Sequence, residues 1–250
     1  MRLRTLVADD FQVASCQATL FTPDEEISTS KLVSGLLPQW STRFDGDPII
    51  LPHVEGLPRE VPKMILSSTS ASWRCEIASA RINIFWRRTK TAPPPLVPSI
   101  STFYADAAQL LVEYNRFLKS RVGRVAAVLN RYATHGQPGL FLARHFCQER
   151  WAQAPLDRPE SFELHAHKRF TLANEFQVNS WVRNKTGQIA IERDLEPIVL
   201  VEQDLNTLPE DVERRSFQNE EFVRFFSVVA NELDSILQLY YPRDGTQSTR

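Results

Sequence analysis

Glu163, His165 and His167 alternate along one predicted strand, so their side chains share a face, opposite Phe162, Leu164 and Ala166. A His-x-His pair on a strand can hold a transition metal, and with Glu163 beside it the set suits metal-dependent hydrolase or nuclease chemistry. Such a centre needs a third or fourth protein ligand, which nothing in the sequence locates, and the same alternation describes a solvated polar face. Glu192, Asp194, Glu202 and Asp204 lie near the last strands and suit paired-carboxylate acid–base or magnesium chemistry, but strand-end carboxylates are common on any soluble sheet. His135 and His145 flank a short predicted helix, and Cys147 follows two residues after His145, a spacing that points the pair apart on a helix. With eight glycines and no phosphate-cradling or nucleophile-elbow motif, the sequence assigns no catalytic residue and no cofactor; His165 and His167 stay weak candidates for metal.

A larger set emerges from strand phase. If the apolar alternation faces the predicted helices, Arg74, Glu76, Asn83, Phe85 and Arg87 share the opposite face with His165, His167, Arg169, Gln177, Asn179, Trp181 and Arg183. Arginine and aromatic side chains together suit a contact surface, because they combine area with stacking and forked hydrogen bonding. Phe85, Arg87, Arg169, Trp181 and Arg183 are therefore the expected partner-binding residues. The competing expectation is that loops cover Phe85 and Trp181 while the arginines pair with neighbouring carboxylates.

The elements that must position these residues follow from periodicity. Residues 10–21 alternate with a phase shift near Ala14 and Ser15, as a bulged strand does. Thr22-Pro23-Asp24-Glu25 has the form of a helix start, with Ile27, Val33, Leu36, Leu37 and Trp40 behind it. Strands are predicted at 48–54, 63–69, 72–78 and 81–88, then a stiff proline-rich connector over 91–98. Ile100 to Leu118 and Phe222 to Tyr240 carry apolar residues at helical spacing, predicting long helices at about 99–120 and 217–241. Between them lie a strand over 122–132, a short helix over 139–151 and strands near 161–170, 175–184, 188–193 and 197–203.

Lys and Arg total 29 against 30 for Asp and Glu, so any nucleic-acid or membrane binding must rest on a local patch. Three widely spaced cysteines argue against a disulfide framework, and no apolar run approaches the length of a membrane span. A cytoplasmic protein without a signal peptide or membrane segment is expected.

The order strand, helix, antiparallel strands, long helix occurs twice, and resembles folds in which a curved sheet grips a helix, including the TATA-binding-protein-like repeat. Trp86-Arg-Arg-Thr-Lys-Thr91 and Trp181-Val-Arg-Asn-Lys-Thr186 agree at four of six positions, although Trp86 falls in phase with its apolar face and Trp181 out of phase with Phe176 and Val178. The segments Lys63 to Ser68, Trp73 to Ile77, Arg81 to Arg88, Gly123 to Tyr132 and Val201 to Leu205 resemble a sporadically distributed family of bacterial proteins of about this length. That resemblance implies an accessory-gene setting such as mobile elements or phage defence, and brings no catalytic residue.

The expectation is an α+β protein: a curved antiparallel sheet with two long amphipathic helices on one face, in two pseudo-equivalent halves, 1–121 and 122–243, packed as one unit before a disordered tail at 244–250. The expected function is non-enzymatic binding or scaffolding through the sheet face, with a protein or nucleic-acid partner. The alternatives are the Glu163, His165, His167 hydrolase or nuclease and a small-molecule sensor with a pocket between sheet and helix.

Overall fold

The computed structural model describes residues 4–23, 27–52, 56–89, 98–148, 158–191 and 194–243. Residues 91–97 of the predicted proline-rich connector, the tail after Arg243, Glu192 and the Asp24-Glu25 of the expected helix start lie outside these residues. The fold is α+β, as the alternation of patterns implied. Its strands are β1 (Gln12–Phe21), β2 (Ile49–Ile50), β3 (Pro62–Ser67), β4 (Trp73–Ala78), β5 (Arg81–Arg87), β6 (Arg124–Thr134), β7 (Glu163–Leu172), β8 (Phe176–Ile191) and β9 (Asp194–Thr207). All nine form one open antiparallel sheet in the order β2-β3-β4-β5-β1-β6-β9-β8-β7. The described helices are α1 (Thr29–Trp40), α2 (Ile100–Leu118), α3 (Pro138–Phe146) and α4 (Asn219–Tyr240).

The pleat sorts the sheet cleanly. Trp73, Trp86, Cys16, Leu129, Gln203 and Val182 are directly opposite one another across six neighbouring strands, so all six project from one face. Trp86, Cys16 and Leu129 belong to a core that also contains Phe103, Tyr104, Leu111 and Tyr114 of α2 and Phe222, Phe225, Phe226, Val229 and Leu233 of α4. The expected bulge is present: the β1–β6 register shifts between Val13 and Ser15, which returns Cys16, Ala18 and Leu20 to the buried phase.

Local chemistry explains the helix ends. Ser99 caps α2 by accepting from the Thr102 amide at 3.1 Å, and Lys119 closes it in the left-handed region with φ of 57°. Glu221 accepts from the Gln218 amide at 2.7 Å at the start of α4. The first helix begins at Thr29 rather than near Thr22, because Thr22 is bound at the end of β1, its amide donating to the Ala80 carbonyl at 2.9 Å and its hydroxyl to Ser79 at 3.3 Å. Gly35 of α1 is where Phe117 of α2 packs: a Cβ there would lie 2.0 Å from the ring.

Two departures from the predicted elements affect the site. The strand expected to break at Lys185-Thr186-Gly187 runs on, so β8 is sixteen residues long and stays paired with β9 from Val178 to Ile191. Of the strand predicted over 48–54, the described residues 48–52 contribute the two-residue β2. A second, smaller core gathers Leu6, Phe141, Leu142, Val182, Val199, Val201, Ile236, Leu237 and Tyr241 around α3 and the end of α4. There the Ala8 amide donates to the Tyr241 carbonyl at 2.9 Å and Arg243 pairs with Asp9 at 3.0 Å, clasping the two terminal segments together. No helix among the described residues is long and apolar enough to cross a membrane.

Candidate functional site

The face opposite the Trp86–Cys16–Leu129 row carries the polar residues singled out by strand phase. Arg74, Phe85, Gln17, Val128, Asp204, Trp181 and His167 form one transverse row, each opposite the next from β4 to β7. A second row runs Glu76, Asn83, Thr19, Ala126, Asn206, Asn179, Arg169. A third runs Arg87, Ser15, Asn130, Glu202, Arg183, His165. Phe85 and Trp181 therefore share a face but not a patch: four strand spacings, roughly 19 Å, separate them.

At the β5 end, Phe85 is half-buried and Arg87 exposed, its Nε donating to the Ala71 carbonyl at 3.1 Å. The middle is uncharged and hydrogen-bonded to itself. Gln17 Nε2 donates to Asn83 Oδ1 at 3.2 Å, Thr19 Oγ1 donates to the same oxygen at 2.9 Å, and Asn130 Nδ2 donates to Ser15 Oγ at 3.0 Å.

At the β8–β7 end the chemistry is denser. His167 stacks on half-buried Trp181 with centroids 4.2 Å apart and planes 19° from parallel. Asn179 Oδ1 accepts from His167 Nε2 at 3.1 Å and from Arg169 Nε at 2.9 Å, which places the histidine proton on Nε2. Arg169 also grips Glu210 with both terminal nitrogens, at 2.6 and 3.4 Å. Arg183 pairs with Glu202 and lies 5.5 Å above the Trp181 ring, while Lys185 reaches the same carboxylate at 3.8 Å.

Behind them sits a polar group that sequence reasoning did not assemble. Arg124 donates to Asn206 Oδ1 at 2.6 Å and to the Thr207 carbonyl at 3.0 Å, and covers the Phe21 ring at 4.7 Å. Asn206 Nδ2 in turn donates to Asp204 Oδ1 at 2.7 Å. Burial raises the Asp204 carboxyl above its ordinary range, a larger effect than the Asn206 hydrogen bond and the Arg124 and Arg183 charges that oppose it. Burial likewise lowers the Arg124 guanidinium. Asn179 and Asp204 carried a signal in the sequence, their phase on the strand; Arg124 and Asn206 needed the register of β6, β9 and β8.

The Glu163-His165-His167 set is exposed on one face of β7, as alternation requires. His165 Nε2 lies 3.4 Å from Glu163 Oε2, whereas His167 is turned into the Trp181–Asn179 arrangement. No group of three or more metal-binding side chains occurs among the described residues. Asp194 lies at the opposite end of β9 from Asp204, roughly 33 Å along the strand, so those two do not converge. His135 donates from Nε2 to the Arg4 carbonyl at 3.1 Å, and His145 from Nε2 to that of Tyr240 at 2.7 Å. Both rings pack against Phe141 of the second core.

A groove of about 160 Å³ opens between α4 and the β7–β8 pair, lined by Phe170, Val182, Ile236, Leu239 and Tyr240, with Leu239 81% exposed. A larger hollow of about 540 Å³ lies away from this chemistry, against Ile27, Leu51, Leu57 and Lys63.

A scan against protein-family models finds no match, and neither does a comparison with curated protein sequences.

Proposed function

We propose that this chain is a non-enzymatic binding or scaffolding protein that engages a macromolecular partner through the polar and aromatic face of its sheet. The observation that carries this reading is the β8–β7 end of that face, where the Trp181–His167 stack and the Arg169 and Arg183 guanidinium groups stand together, partly exposed. In this reading α2 and α4 back the other face, supported by the core that joins Phe103, Tyr104, Phe225 and Phe226 to Trp86, Cys16 and Leu129. The halves 1–121 and 122–243 are read as pseudo-equivalent. Their first strands, β1 and β6, are neighbours at the centre of the sheet, each flanked outward by the last strand of its own half, β5 or β9.

Charge favours a protein partner over nucleic acid. Arg74, Arg169 and Arg183 are matched by Glu76, Glu210 and Glu202, so these three guanidinium groups are already paired where a phosphate backbone would compete for them. The exposed Arg169–Glu210 pair contributes only about 0–1 kcal/mol, so a partner exchanges it at little cost, whereas Arg183–Glu202 is part-buried. The α4 groove falls below the roughly 300 Å³ at which small-molecule pockets begin, so it does not support a sensor, while the hollow of about 540 Å³ that does reach that size lies away from the polar and aromatic residues of the β8–β7 end.

The test is a triple Arg87→Ala, Arg169→Ala, Arg183→Ala variant used beside wild type to capture partners from a bacterial lysate, followed by salt titration of the complex. The variant should fold normally and lose its partner, with affinity changing little with salt. A steep fall of affinity with log salt would identify nucleic acid instead. Full binding by the variant, or metal-dependent turnover abolished by His165→Ala and His167→Ala, would replace this reading with the enzyme.

A further inference from the structure

The two edges of the sheet are unequal. One ends in β2, two residues long, and the other in β7, ten residues without a proline. A long edge presents unpaired N–H and C=O groups that template pairing with another strand. The Phe162 carbonyl accepts from the Thr186 amide at 3.2 Å. Because antiparallel bonding alternates, the even-numbered residues of this segment turn their backbone groups toward β8, and Glu163, His165, His167 and Arg169 turn theirs outward.

The side chains along this edge are self-complementary about Ala166. Counting outward in both directions gives His165 and His167, Leu164 and Lys168, Glu163 and Arg169, then Phe162 and Phe170. Laid antiparallel on a second copy with Ala166 on the two-fold axis, each copy sets Glu163 against Arg169 of the other on the polar face. Phe162 then meets Phe170 on the apolar face. Every contact occurs twice, as an isologous interface requires. Opposite charges and aromatic pairs are the favourable cross-strand combinations. Ala166 would occupy a non-hydrogen-bonded pair, where the strands approach most closely and a small side chain is required. Glu163 and Arg169 keep 55% and 54% of their side-chain surface exposed, and both phenylalanines are only half-buried. Lys168, a residue type that often keeps edges apart, is folded over its own Phe170 at 5.4 Å and sets its stem against Leu164 in this register. Shifting by two residues puts His165 against Arg169 and breaks the phenylalanine pairs.

The geometry points to β7 as a homodimer interface, two copies pairing antiparallel about Ala166 to continue one sheet through both. An interface made of one strand edge and four aromatic rings lies at the small end of specific interfaces, below about 1,200 Å², so the dimer dissociates on dilution.

Sedimentation equilibrium across the micromolar range tests this. Wild type should rise from 28.7 kDa toward twice that mass with concentration. Glu163→Arg alone and Arg169→Glu alone each place like charges opposite one another twice and should weaken self-association at least tenfold. An equimolar mixture of the two restores both opposite-charge pairs and should form the heterodimer. His165→Pro removes an outward amide that the monomer does not use and should leave a folded monomer, checked by thermal unfolding of the dilute protein. A wild type that stays monomeric, a dimer unmoved by His165→Pro, or a mixture no stronger than the single variants overturns the proposal.

Discussion

Tyr104 of α2 and Phe226 of α4 stack with ring centroids 6.0 Å apart and planes 12° from parallel, and the Tyr104 hydroxyl donates to the Val128 carbonyl of β6 at 3.1 Å. One side chain thus joins both long helices to the middle of the sheet. Burial drives the Tyr104 hydroxyl well above its ordinary pKa, so it remains a neutral donor.

Truncation at this junction should be expensive. Phe226→Ala is expected to cost about 3–5 kcal/mol and Leu233→Ala about 2–5 kcal/mol, because each leaves a cavity beneath α4. Denaturant unfolding measures both. Midpoints equal to wild type would contradict the docking of α4.

Arg131 is 3% exposed and pairs with Asp234, which is 52% exposed on α4. Asp234→Ala leaves a desolvated guanidinium without its carboxylate and should cost roughly 1.5–3 kcal/mol. The double variant Arg131→Met, Asp234→Leu should recover most of that loss, because an apolar pair of similar volume avoids the desolvation cost. Urea unfolding of wild type, Asp234→Ala and the double variant reads the difference.

Asp204 sets a pH dependence of defined sign. Its folded-state pKa is raised above 3.8, so the folded protein holds this proton more tightly than the unfolded chain. The resulting stabilisation is fully present below the unfolded value and is lost as pH rises through the folded one. Asp204→Asn, which can still accept from Asn206, should therefore be more stable than wild type at neutral pH, with the gap closing as pH falls below 4. Thermal midpoints of both proteins across that range test it; a gap that widens on acidification would refute the assignment.

The sheet was legible where one face is buried. Ile82, Ile84 and Trp86 alternate with Asn83, Phe85 and Arg87 because only one phase meets the core, and the shift at Ala14 and Ser15 announced a real bulge. Gly187 misled in the other direction. Glycine weakens strand propensity, yet tertiary pairing with Ile198 carries β8 through it. The ion pair between Arg131 and Asp234 spans 103 residues and left no local trace. The same holds for Arg124 with Asn206, a contact decided by which strands become neighbours.

The clasp between Asp9 and Arg243 joins positions 234 residues apart in sequence. The path of the chain between these two residues is therefore nearly a closed ring. Joining the two clasped segments by a short linker and reopening the ring at the Ala173–Asn174 turn, where both residues have positive φ, would yield a circular permutant with the same strand order and the same two faces.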